Sequence, residues 1–246
     1  MFRLAHSVLV LAAVAVLLTG VPAYAIVIDD FEVGQLNVHQ GNPPHIVGVM
    51  EDATVDANPV GELLPGLPTN NVAGGERGVS VRLQTGVSIS AQNFPDGPGG
   101  NDDGILFQFA PNSHGEGALL YWFAAPTLDL TATGHDRFVI NLADAPGPGG
   151  ALFLHLEDLD GDFDWQALPI TGPGNYEFLF SDFVAAEPAL DLNDINLIWL
   201  RAGYSNVDPI LPARIQINDI RTTPEPATLT LLAIGGLAVL RRRRKQ

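Results

Sequence analysis

The sequence predicts an all-β fold, a two-layer β-sandwich, on three observations. Between Ile26 and Ile220 the dominant period is two: segments such as 79–84 and 214–218 alternate apolar and polar residues, the pattern of half-buried strands. Four stretches, 119–124, 138–142, 152–156 and 195–200, are apolar on both faces, as central strands of a covered sheet are. The 26 glycines and 19 prolines gather between these runs and punctuate them. No segment of the body longer than about 12 residues keeps a helical 3.6-residue period.

The first 25 residues read as a secretory signal helix. Arg3 supplies the positive start, residues 8–18 the apolar core, and Ala23-Tyr24-Ala25 the small-x-small pattern that signal peptidase cuts, placing cleavage after Ala25. One domain is expected over 26–222. Its early irregular stretches, 39–69 and 91–103, would crown one end of the sandwich as loops. His135-Asp136 has the look of a turn, and 189–194 that of a helical turn. Residues 152–156 should return through Asp160-Gly161 into 163–168 as a hairpin.

Charge narrows the function. Of the 12 basic residues only Arg77, Arg82, Arg137, Arg201, Arg214 and Arg221 lie in the body, against 27 of the 28 acidic ones, a net of −21 there. Such a surface repels phosphate backbones, which excludes nucleic acid, and attracts divalent cations. The chain has no cysteine, so thiol nucleophiles, zinc-thiolate sites and disulfides are excluded.

Residues 223–246 combine Pro224-Glu225-Pro226, an apolar run at 227–240 and the basic end Arg241, Arg242, Arg243, Arg244 and Lys245. Fourteen helical residues span about 21 Å against a hydrocarbon core of about 30 Å, so the short apolar helix is a marginal, transient anchor. The cations after it would stay cytoplasmic, leaving the acidic body outside. The tail resembles the PEP-CTERM sorting signal of Gram-negative bacteria. The resemblance implies a cut near the motif by an exosortase, and a place at the cell surface or in the extracellular matrix.

The body carries weaker landmarks: Asp29-Asp30-Phe31-Glu32 near the start, Leu128-Asp129-Leu130-Thr131, Phe180-Ser181-Asp182-Phe183, Asp191-Leu192-Asn193-Asp194-Ile195, and a closing Ile217-Asn218-Asp219-Ile220. In this order they are similar to the galactose-binding-like jelly rolls of carbohydrate-binding modules. That resemblance implies a structural calcium joining the first and last strands, with acidic ligands at the matching positions Asp30, Glu32 and Asp219. The same carboxylates equally suit strand ends facing water.

A second acidic cluster, Asp158, Asp160, Asp162 and Asp164 around Gly161, has the composition of a calcium loop. It departs from the EF-hand, whose sixth and twelfth positions would here be Phe163 and Pro169, and it fits a hairpin turn better. Tyr121, Trp122, Trp165, Tyr176 and Trp199 could stack on sugar rings, but all sit in strand patterns, and core packing is the expectation for Trp165 and Trp199. No Gly-x-Ser-x-Gly, His-Glu-x-x-His or phosphate-loop pattern is present, and no catalytic residue is assigned. The expected role is that of an exported, non-catalytic surface or matrix protein associated with exopolysaccharide or biofilm. The alternative is a calcium-dependent carbohydrate-binding module with weak glycan hydrolase or lyase activity.

Overall fold

A computed structural model of the chain describes residues 25–34, 36–41, 60–85, 88–93, 104–124, 126–131, 134–145, 149–183, 190–204 and 213–224. The strands, in chain order, are β1 (Ile26–Asp29), β2 (Leu36–Gly41), β3 (Val60–Pro65), β4 (Glu76–Thr85), β5 (Ser88–Asn93), β6 (Ile105–Phe109) and β7 (His114–Trp122). They continue with β8 (His135–Asp144), β9 (Gly150–Asp158), β10 (Phe163–Ile170), β11 (Gly174–Leu179), β12 (Ile195–Tyr204) and β13 (Ala213–Pro224).

They form two antiparallel sheets packed as a jelly-roll sandwich. One has seven strands, in the order β11-β8-β13-β6-β5-β2 with β1 added on β13; the other has six, β10-β9-β12-β7-β4-β3. The stretches read as central strands fall in β7, β8, β9 and β12, each flanked by a strand on both sides. Their inward residues, among them Leu119, Tyr121, Ile140, Leu154 and Ile198, meet Ile89, Phe107, Ile215 and Ile220 in one core.

Two local features show how the layers close. In β13 the inward residues are Ile215 and Ile217, then Ile220 and Thr222, a spacing of three that a strand of period two accommodates only through a register shift; one occurs between Ile217 and Asp219. In β7, Gly117 faces the opposite sheet so closely that a Cβ there would lie 2.0 Å from the Phe107 ring. The glycine is what lets Phe107 fill the interlayer space.

Several expectations are corrected. His135 and Asp136 begin β8 rather than a turn, and His135 is buried. The supposed loop at 39–69 contains the end of β2 and all of β3, and that at 91–103 begins with the end of β5. Alternation there is blurred by the glycines and prolines that flank these short strands. The turn expected at 189–194 is present among the described residues 190–194, closed by Asp194 N–H donating to Asp191 O at 3.1 Å. The hairpin through Asp160-Gly161 forms as expected, with Phe163 opposite Glu157 and Trp165 opposite His155. The signal helix and the apolar run 227–240 lie outside the described residues; among those described, no helix is long and apolar enough to cross a membrane.

Candidate binding face

The acidic residues near the first strand are organised by a neighbour that the sequence reading passed over. Asp29 is fully buried, and its carboxylate accepts hydrogen bonds from Arg77 Nε and Nη2, from Tyr121 Oη at 2.9 Å and from the Phe31 amide at 2.9 Å. Arg77, also fully buried, donates through Nη1 to Val33 O at 2.9 Å and lies 4.9 Å from the centroid of Phe31, whose φ is 59°. Asn93 Nδ2 donates to Gly34 O at 2.6 Å. Burial pushes the Asp29 carboxyl up against the pull of Arg77. Burial also disfavours the Arg77 cation, and Asp29 more than offsets this. A carboxylate and backbone carbonyls, the oxygens a hard cation would seek, are here taken by a guanidinium.

Asp30, Glu32 and Asp219 are likewise engaged. Asn71 Nδ2 donates to Asp30 Oδ2 at 2.8 Å and reaches Glu32 Oε2 at 3.5 Å, while Arg221 Nη1 pairs with Asp219. Burial raises the Asp219 pKa, opposed by Arg221 and reinforced by Asp30 and Asp29. Asp158 is buried and serves its own hairpin: Oδ1 accepts from the amides of Asp160 and Asp162, both at 3.0 Å, and Oδ2 from that of Asp191 at 2.9 Å. Asp160 is exposed. Among the described residues no three His, Asp or Glu side chains are grouped to hold a metal ion. Both carboxylate oxygens of Asp158 are taken by backbone amides.

The tryptophans overturn the core expectation. Leu152, Leu154 and Leu156 of β9 point inward, so Phe153, His155 and Glu157 point outward, and the hairpin register carries Trp165 and Phe163 of β10 to the same outer face. Trp165 is 53% exposed and Phe163 57%. On the other side of β9, Trp199 and Arg201 of β12 stand opposite His155 and Phe153. Beyond them on β7, Leu120 stands opposite Trp199 and Trp122 opposite Leu197. Tyr121 and Tyr176, by contrast, are buried.

These side chains touch. The His155 ring stacks on Phe163 with centroids 5.3 Å apart and meets the edge of Trp199 at 6.0 Å; Phe153 and Trp165 are 6.4 Å apart. The Arg201 guanidinium lies 5.1 Å from Phe153 and 4.8 Å from Trp199, within cation–π range. Arg201 and Arg82 approach Glu116 at 3.6 and 3.7 Å, and His155 approaches Glu157 at 3.8 Å. Arg201 Nε and Trp199 Nε1 are buried and have no hydrogen-bond partner among the described residues. Burial lowers the His155 pKa, and Arg201 adds to this against the pull of Glu157, so the neutral ring is favoured. The result is an aromatic strip with balanced charges on an otherwise strongly acidic chain.

The two ends of the body meet in the other sheet. Ala25 is exposed, Ile26 pairs with Thr222, and Pro224 ends β13 opposite His135, two residues past the expected domain boundary. Ala23, Glu225, Pro226 and Arg241 to Arg244 lie outside the described residues.

Residues 222–245 match the model of the PEP-CTERM protein-sorting motif. The motif marks an exported chain that is anchored at the membrane as a precursor and processed by an exosortase. No curated protein matches the sequence. Among solved structures, the chain is similar to the agarase AgWH50C at 12% identity and a TM-score of 0.39, over 61% of this chain and 24% of that one, so it spans about a quarter of that enzyme. TmCBM61 in complex with β-1,4-galactotriose is similar at 12% identity and 0.36, over 60% and 88%. For CtCBM11 the values are 12% and 0.36, over 72% and 95%.

Proposed function

We propose that this chain is an exported, non-catalytic matrix or surface protein that associates with exopolysaccharide through the outer face of its six-stranded sheet. The observation that carries this reading is the exposure of Trp165 and Phe163 beside His155, Phe153, Trp199 and Arg201 on one open face. Aromatic faces take up the apolar faces of pyranose rings by dispersion, while His155, Glu157, Glu116 and the arginines offer donors and acceptors to hydroxyls. The near balance of charge on this strip suits a neutral glycan better than a polyanion, which the surrounding acidity repels.

The arrangement of carboxylates supports binding without hydrolysis. A glycosidase sets its two carboxylates about 5 to 9.5 Å apart. Of the described carboxylates beside the aromatic strip, Glu157 lies opposite Leu197 and Glu116 opposite Gly203, backbone positions six residues apart along β12, about 20 Å of strand. The test is titration of the purified protein against neutral and acidic bacterial polysaccharides. Trp165→Ala should weaken the binding of the preferred glycan about tenfold or more, about 1.4 kcal/mol, with an unchanged melting temperature. Wild-type affinity in that variant would sink this face as the site, and glycan turnover by the wild type would sink the non-catalytic reading.

A further inference from the structure

The sorting motif begins inside the fold. Its match opens at Thr222, while β13 continues through Thr223 to Pro224. Thr222 is fully buried, and its Oγ1 lies 3.0 Å from Nδ1 of buried His135. Ile220, Arg221 and Thr222 are paired on both sides, with Ile140, Val139 and Phe138 of β8 and with Asp29, Val27 and Ile26 of β1. Thr223 and Pro224 pair only with Arg137 and His135 of β8. Proline has no N–H to continue a ladder, so its place at the strand end is the one sheets tolerate.

A protease needs the residues flanking the bond it cuts to leave the fold, so cleavage tracks local opening, and the singly paired end Thr223-Pro224 opens more readily than the doubly paired Ile220 to Thr222. Freeing Ile220 to Thr222 would break two ladders at once and carry two fully buried side chains into water. Ile26, the residue after the expected signal cut, is the register partner of Thr222, so the segments before β1 and after β13 leave the sandwich at one place.

Resting on the sorting reading above, we propose that the sandwich itself sets the upstream limit of processing. The bonds before Pro224 are shielded, the cut falls after Pro224, and the mature chain keeps β13 whole. The sorting enzyme is thus offered its motif directly from the end of the sheet, without a spacer. In the cut the scissile C–N bond breaks, the acyl carbon passes to the oxygen of water, and the proton that water gives up leaves on the amine of the released tail.

The limit can be tested apart from sorting. The full chain, purified in detergent, is digested under native conditions with a broad-specificity protease, and the end of the resistant core is read by intact mass. The expected C-terminal residue is Pro224 or later, and a core ending at Thr223 or earlier overturns the proposal. Thr222→Asp puts a charge into the buried position; it should move the limit upstream, and an unmoved limit overturns the sheet as its cause. In exporting cells that carry the sorting enzyme, the mature chain should again end at Pro224 or later. A mature chain ending earlier overturns the proposal, whereas a tail never removed overturns the sorting reading on which it rests.

Discussion

Two arginines held against aromatic rings behave differently on the two sides of the six-stranded sheet. Arg77, on the inner side, stacks on Phe31 and spends its donors on Asp29 and the carbonyls of Val33 and Gly34. Arg201, on the outer side, stacks on Phe153 and Trp199, reaches Glu116 only at 3.6 Å, and leaves Nε without a partner. A guanidinium sealed between the layers must be saturated, because an unpaired charge there costs several kcal/mol. Arg201 keeps 27% of its side chain exposed, where water or a ligand can reach it, although its Nε is itself buried. The inner arginine therefore belongs to the fold, and the outer one is assigned to recognition only on the proposed reading.

The largest effect that would break this contrast is on stability. Arg77→Met strands the buried Asp29 carboxylate and should cost about 3 to 5 kcal/mol in urea unfolding, and Arg77→Lys should recover little because a point charge cannot reproduce the fork. A loss below about 1 kcal/mol would remove the claim that Arg77 organises the first strand. Next comes Arg201→Ala, which should change stability by no more than about 1 kcal/mol while lowering glycan affinity; equal losses of stability in the Arg77 and Arg201 variants would erase the distinction between the two faces.

The smallest effect sharpens the outer face alone. Burial lowers the His155 pKa, so the folded state prefers the neutral ring. Unfolding releases that preference, so the stability it contributes is present above the ordinary histidine pKa of about 6.5 and is lost as pH falls through the folded value. Glu157, Asp164 and Arg201 bear on the same ring. Stability of the wild type should therefore fall more steeply than that of His155→Gln below about pH 6.5, measured by thermal unfolding at matched ionic strength. Parallel curves would show that the ring is not desolvated.

Much of the outer face was legible in the hairpin around Asp160-Gly161. Its first arm reads Leu152, Leu154, Leu156 on one side and Phe153, His155, Glu157 on the other; a histidine and a glutamate in alternation mark the wetter side, and the turn then fixes Trp165 and Phe163 opposite them. Trp165 alternates with Phe163 and Ala167, and Trp199 lies in a run apolar on both sides. Alternation alone does not say which face is inward, and it is the register with His155 that turns both outward. The clasp was less legible. Asp29, Asp30 and Glu32 are all acidic within four residues, and the choice of Asp29 as the buried one depends on Arg77 and Tyr121, 48 and 92 residues away.

By itself the sequence determined the all-β class, the hairpin at Asp160-Gly161, the acidic and cysteine-free character of the body and the sorting motif at its end. Each of these is a matter of periodicity, composition or short spacing, which neighbouring residues along the chain suffice to set. The tertiary structure alone decided which side of β9 and β10 faces solvent, which carboxylate is sealed against Arg77, and that β13 stays paired as far as Pro224. Those outcomes turn on what lies across the roughly 10 Å between two packed sheets, and on ladders joining strands nearly 200 residues apart, as Ile26 and Thr222 are.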